Sequence, residues 1–232
     1  MSSFTFKQFH INQQHCAMKV GTDGILLGAW ADVSDCQRIL DMGTGTGLVA
    51  LMLAQRSHEH CQIEAVELDP LAAQQAQENF KASPWHNRLH LTRQDVQTYC
   101  QQTAHQFDLI VANPPYFTQG VECKNDERAL ARYVQQSHLD WLNWAASCLS
   151  KKGKISFVLP YEAGKTLINS TALCCIKQTD VITKTGKDPQ RILLTFSREH
   201  LPQVKDSLVI YNENNQYTEE FIALTKAFYL KM

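Results

Sequence analysis

The chain has 232 residues, a formal net charge of -1 and 44% hydrophobic residues. This suits one domain with its own core and leaves no global positive field to draw in nucleic acid. Eight cysteines without a C-x-x-C, nine histidines without metal-ligand spacing, and the lack of a signal-like or bilayer-spanning apolar run point to a cytoplasmic protein with reduced thiols and no metal.

In chain order, "GILLGAWA" (24–31) reads as a helix and "RILDM" (38–42) as a short buried strand. "TGLVALMLAQR" (46–56) is a helix, and "CQIEAVEL" (61–68) a second strand. "DPLAAQQAQENFKA" (69–82) opens with an N-cap aspartate and a proline at the first helical position. "RLHLTRQ" (88–94) is a strand, "DVQTYCQQ" a short helix and "FDLIVA" (107–112) a fourth strand. "SHLDWLNWAASCLSKKG" (137–153) reads as an amphipathic helix ended by glycine, and "KISFVLP" as a fifth strand. "CCIKQTDVIT" and "RILLTFS" close the series as strands. The alternation predicts a doubly wound, mostly parallel α/β sheet with helices on both faces, as a single domain over 1–232. Residues 1–37, 117–136 and the tail from about 199 fall outside the rhythm.

In such sheets ligands sit beyond the carboxyl ends of the strands, and each unusual motif falls at such an end. "DMGTGTG" (41–47) follows the first strand, with glycines at 43, 45 and 47 that permit a tight turn and close ligand approach. The dinucleotide fingerprint needs a third glycine where Leu48 stands. G-x-G-x-G with an acid two residues earlier fits S-adenosylmethionine (SAM) instead, which has no phosphate. Glu67 ends the second strand, about 20 residues past the glycines, where an acid can bind ribose hydroxyls. Asp95, after the third strand, can accept from the cofactor's adenine amine. Asp69 and Asp95 can equally be helix caps, and Glu67 a solvated strand end.

"NPPY" (113–116) ends the fourth strand. Asn113 and Pro114 each precede a proline and are held extended; Pro114 and Pro115 have fixed φ and no N–H. The turn is a stiff stub of acceptors. The Asn113 side-chain oxygen and the Pro114 carbonyl can take both hydrogens of an NH2 group and free its lone pair for attack on a methyl. Tyr116 can stack on a planar substrate.

DMGTGTG, AVELD, RQDV and NPPY, in this order, resemble the class I SAM-dependent amino-methyltransferases. "FTFKQFHINQQHCAMKVGTDGILLGAWADV" and "YTEEFIALTKAFYLKM" resemble the bacterial tRNA1(Val) (adenine-37-N6)-methyltransferase family, so the similarity covers essentially the whole chain. The resemblance implies a seven-stranded sheet with a reversed last strand, and N6 methylation of an adenine in the anticodon loop of one valine tRNA. The chain is expected to act as a monomer. The resemblance places Asp41, Gly43, Gly45, Gly47, Glu67, Asp95 and Asn113 on SAM, and Asn113 to Tyr116 on the target. The segment carrying Lys19, Thr22 and Asp23 would cover the methionine end of SAM; Thr22 is assigned to it, while Asp23 is equally a first-turn helix residue.

Lys7, Lys19, Lys124, Arg128 and Arg132 flank the strand ends in sequence, near Phe4, Phe6, Phe9, Tyr116, Phe117 and Tyr133. Cations with aromatics suit unstacked RNA loops, although phenylalanines are more often core and charges a solvated face. The rival readings are glutamine N5-methylation of a protein, guanine-N2 methylation of rRNA, a non-catalytic nucleotide-binding subunit and an NAD-dependent oxidoreductase.

Overall fold

The computed structural model describes residues 3–14, 19–115 and 137–231. The chain begins with a hairpin of β1 (Ser3–Thr5) and β2 (His10–Asn12), followed by α1 (Thr22–Trp30). Next come β3 (Arg38–Met42), α2 (Leu48–Arg56), β4 (Gln62–Glu67), α3 (Pro70–Lys81), β5 (Leu89–Arg93), α4 (Val96–Gln102) and β6 (Phe107–Ala112). After residue 136 follow α5 (His138–Ser147), β7 (Leu149–Pro160), α6 (Tyr161–Ser170), β8 (Cys174–Lys184), β9 (Arg191–Ser197), β10 (Val204–Tyr211) and α7 (Glu219–Thr225). No helix among the described residues is long and apolar enough to cross a membrane.

Among the described residues, eight strands form one sheet in the order β10-β8-β9-β7-β6-β3-β4-β5. β9 alone runs against its neighbours; all other pairs are parallel. Parallel neighbours require crossovers, which the helices supply, whereas β8 and β9 are antiparallel and need only a tight connection. The carboxyl ends of seven strands and the start of β9 therefore share one edge. The order reverses between β3 and β6, the switch point where a crevice opens.

Side chains alternate across the sheet. Ile39, Leu109 and Val111 join the core beneath α1 and α2. Leu40, Met42, Phe107, Ile110 and Ala112 face the other way, into the core beneath α4, α5 and α6. α1 lies close on α2 because Gly24 and Gly28 face it: a Cβ at Gly28 would meet Met52 at 2.8 Å. That packing fixes where the first turn of α1 points.

Two expectations are corrected. The sheet has eight strands, not seven. The expected seven are present with β9 as the reversed one, and β10 adds to β8 at the edge. Its first four residues, Val204 to Ser207, are exposed and mostly polar, so only Leu208 and Ile210 carry a core signal. The second correction concerns α5, which ends at Ser147; Gly153 lies inside β7. A Cβ there would sit 2.7 Å from the Phe107 carbonyl oxygen, at the register shift between β6 and β7. The glycine admits a bulge rather than stopping a helix.

Candidate active site

Asp41 lies in β3, one residue before the strand ends, and is 2% exposed. Its Oδ2 accepts from Thr44 Oγ1 at 2.6 Å and from the Ala50 amide at 3.1 Å, which ties the glycine turn to the first turn of α2. Burial pushes its carboxyl up to about 7, against the lowering effect of those two bonds.

The amides of the turn are largely engaged within the protein. Gly43 N and Thr44 N both donate to the Val66 carbonyl, and Gly47 N donates to the Thr44 carbonyl. Gly45 N donates to Glu67 Oε2 at 2.8 Å, while Glu67 Oε1 accepts from Asp69 N at 2.9 Å. Burial raises the Glu67 carboxyl above its usual range. A pyrophosphate requires amide donors, and here a carboxylate already holds the central one.

The three glycines have different neighbours although all have positive φ. A Cβ at Gly47 would lie 2.5 Å from Phe80 Cε1, and one at Gly43 would lie 3.0 Å from Trp141 Cη2. At Gly45 nothing lies within 4 Å. Of these three, only Gly45 borders open space.

The space belongs to a cavity of about 540 Å³, within the range of small-molecule sites. It brings together Thr22, Asp41, Gly43 and Gly45 with Asn113, Pro114 and Pro115. Lys19 and Asp23 also line it. Thr22 and Asp23 lie in the first turn of α1, whose N-cap is Gly21. Gly47, Glu67 and Asp95 do not line the cavity. Asp95 caps α4, its Oδ1 accepting from Thr98 N at 3.0 Å. Asp69 caps α3 in the same way, as its position before Pro70 suggested.

At the end of β6, Asn113 is half-buried and Pro114 buried. His138, the first residue of α5, hydrogen-bonds the Pro115 backbone, and burial lowers its pKa. Proline has no N–H, so its carbonyl accepts and the imidazole donates. Tyr116, Lys124, Arg128 and Arg132 lie outside the described residues, as do Phe117 and Tyr133.

Lys7 donates from Nζ to the Lys226 carbonyl at 2.6 Å, at the C-cap of α7. The aromatic residues around it are core rather than an open patch: Phe6 is 2% and Phe9 6% exposed. Their rings stack 4.5 Å apart, and Phe4, Trp85 and Tyr229 pack around them. The sequence reading missed the far wall of the cavity, formed by Thr183, Gln190, Arg191, Tyr211 and Tyr217. Arg191 Nε donates to Asp23 Oδ2 at 2.9 Å, joining the start of β9 to the start of α1. No local motif marks that pair.

The family described as Methyltransferase small domain matches residues 20–187. A tRNA1(Val) (adenine(37)-N6)-methyltransferase of Haemophilus influenzae is 70% identical over 231 residues, covering 100% of both chains. The protein of that name from Pasteurella multocida is 61% identical, covering 99% of this chain and 97% of its own. Among solved structures, a predicted O-methyltransferase from Agrobacterium tumefaciens superposes with a TM-score of 0.70 at 19% identity, covering 89% of this chain and 96% of that one; at that identity it shows the fold alone. The chain belongs to the methyltransferase small-domain family and, within it, to the tRNA1(Val) (adenine(37)-N6)-methyltransferases.

Proposed function

We propose that this methyltransferase uses SAM to methylate the exocyclic N6 of adenine 37 in the anticodon loop of tRNA1(Val). The names of its full-length relatives support the substrate. The observation that carries the cofactor is the glycine turn: its amides are engaged, yet Gly45 borders open space. Such a turn suits a ligand that packs against backbone and needs no phosphate cradle.

The residues fit SAM. Gly45 would admit it closely, with Gly43 beside it on the cavity wall and Asp41 and Thr22 on the methionine side. The Glu67 carboxylate accepts the backbone amides of Gly45, Leu68 and Asp69, and its two oxygens together still have acceptor capacity for a ribose hydroxyl. Asp95 engages Oδ1 on α4, leaving Oδ2 for the adenine amine. When bound, SAM supplies an electrophilic methyl on its sulfonium. Asn113 Oδ1 and the Pro114 carbonyl accept the two hydrogens of the target amine and keep its lone pair out of the ring π-system. The stiff Pro114–Pro115 turn holds these acceptors still, and His138 anchors the Pro115 carbonyl. Tyr116 would stack on the extruded base, and the amine proton leaves after transfer. Lys19, Lys124, Arg128 and Arg132 are the proposed phosphate contacts. Lys7 belongs with them only if it leaves its helix cap. We read 1–232 as one domain whose first 37 residues help wall the site, acting as a cytoplasmic monomer without metal or membrane partner.

Incubation with labelled SAM and either bulk tRNA or a release factor tests this reading. Label is expected in tRNA, at N6 of adenine 37; label in the protein substrate instead would establish glutamine methylation. Asn113→Ala should lower kcat by the ~2–4 kcal/mol typical of one preorganised polar group, with RNA binding retained. Near-normal turnover would reduce the motif to a stiff exit from the sheet.

A further inference from the structure

The cavity extends past the glycine turn and the Asn113–Pro115 stub. Its lining runs from Gly45 beside β3 to Tyr211 at the end of β10. Four strand spacings separate β10 from β6, where Asn113 stands, about 19 Å at the usual separation. A base held against Asn113 cannot span that distance. The far end is a different subsite, and its chemistry is aromatic.

Three rings form a row there. Tyr211 and Tyr217 stack with centroids 4.9 Å apart and planes 22° apart. Tyr217 then meets Phe221 at 4.9 Å. Phe221 is 1% exposed, whereas both tyrosines are half-buried. Among the described residues Tyr217 has a ring on each side and Tyr211 has one only, so Tyr211 ends the row at the cavity wall.

The row is held rigidly. Asn212 Oδ1 accepts from Asn214 N at 2.9 Å and Gln216 N at 3.0 Å, closing the turn between the tyrosines. The Tyr211 carbonyl accepts from Thr185 N at 2.9 Å, and Lys184 Nζ donates to Asn215 Oδ1 at 2.8 Å. Both bonds tie the turn to the β8–β9 connection. That connection starts from Lys184 at the end of β8, carries Lys187 and Asp188, and leads into Gln190 and Arg191 on the cavity wall. The tyrosine hydroxyls lie 3.5 Å apart.

We propose that Tyr211, backed by Tyr217, is a stacking platform for the RNA base next to the target adenine, with Gln190 and Arg191 at its edge. It rests on the tRNA reading above and deepens it. Near the platform Lys184, Lys187 and Arg191 face Asp23 and Asp188, a surplus of one positive charge. Ring stacking is therefore its main contribution, with the lysines beside it for the RNA backbone. A pre-stacked ring loses little freedom when a base lands on it, so its gain on binding is retained.

The test uses the full chain and anticodon stem-loop RNA carrying the target adenine, intact or with an abasic site at either neighbour of that adenine. Tyr211→Leu keeps apolar cover over the core but offers no ring. It should raise the RNA KM about tenfold with SAM affinity unchanged, while Tyr211→Phe stays near wild type. Removing the stacked neighbour should weaken wild type about tenfold and leave Tyr211→Leu indifferent. An unchanged KM in folded Tyr211→Leu overturns the platform, as does equal sensitivity of both proteins to the abasic sites. A fall in SAM affinity would move Tyr211 to the cofactor site and also overturn it. Failure of wild type to methylate the intact RNA sinks the tRNA reading itself, a result separable from a variant that behaves as wild type on an active substrate.

Discussion

Gly45 and Gly47 stand two residues apart in one turn, and exchanging each for alanine should have opposite consequences. Their φ values are +58° and +84°. A side chain in the left-handed region costs roughly 1–2 kcal/mol at either position, so that strain is common to both variants. Their neighbours differ. The new methyl at 47 would be driven to 2.5 Å from Phe80 Cε1, and Phe80 is 1% exposed. Overpacking a close-packed core adds about 1–3 kcal/mol, giving a total of roughly 2–5 kcal/mol for Gly47→Ala. At 45 the methyl meets nothing, so the fold should lose only the strain, about 1–2 kcal/mol. It would, however, occupy space assigned to SAM. Urea denaturation reads the first effect and calorimetric titration with SAM the second. Gly45→Ala should stay folded and lose at least a hundredfold in SAM affinity. Gly47→Ala should be the less stable protein yet bind SAM within a few-fold of wild type wherever it is folded. Unchanged SAM affinity in Gly45→Ala would refute the assignment of the open space to the cofactor.

Asp41→Asn should abolish a pH dependence of stability. The Asp41 carboxyl moves from 3.8 to about 7 on folding, so the folded protein retains a proton that the unfolded chain releases between those values. Wild type should lose stability as pH rises through that window, on the order of 4 kcal/mol, with no further loss above it; parallel denaturation curves for the two proteins at pH 4.5 and 7.5 would contradict this. Asp95→Ala should cost about 1 kcal/mol as a lost helix cap and weaken SAM binding besides; the same loss of stability with unaltered SAM affinity would make Asp95 a cap alone. Lys7→Ala should cost about 0.5 kcal/mol, as a cation removed from a helix C-terminus, and leave the salt slope of tRNA binding unchanged. A slope shallower by about one would instead count Lys7 as a phosphate contact.

The parallel core was legible because its strands are short apolar runs and its helices carry their own punctuation. Asp69 before Pro70 is one such signal, and the structure shows the cap it announces. β10 escaped because its exposed half reads as loop, and its partner β8 is a non-sequential neighbour. Gly153 misled because a glycine after a helical pattern is usually a stop; its actual reason is a carbonyl from another strand. The motif residues of the candidate site are local in sequence; the cavity gathers Thr22, Asp41, Gly43, Gly45 and Asn113 to Pro115 of them, and not Gly47, Glu67 or Asp95. That Glu67 would hold Gly45 N could not be read from either residue. The Asp23–Arg191 pair joins positions 168 apart, and the phenylalanine cluster draws on residues 4–9, 85 and 229. Such contacts leave no pattern in one sequence, and for the same reason the far wall of the cavity went unseen.

The distribution of hydrogen-bonding capacity explains how one site can admit a cationic cofactor and a polyanionic substrate without confusing them. Near the glycine turn the protein offers acceptors: the Asp41 and Glu67 carboxylates, and the proline-fixed carbonyl beside Asn113. The turn's donors are already engaged. A phosphate there would meet buried carboxylates and few open N–H groups, an uncompensated cost. A sulfonium or an amine meets partners of the right sign, and a cation near Asp41 favours release of the proton that burial holds there. Positive groups stand elsewhere, with Lys19 and Arg191 on the wall, Lys184 at the end of β8 and Lys187 on the β8–β9 connection. An RNA backbone is thus best accommodated outside the acceptor-rich centre, and only a base with an exocyclic amine has reason to enter it. Selection for an NH2-bearing base then begins with this separation of donors from acceptors, before any contact that reads sequence.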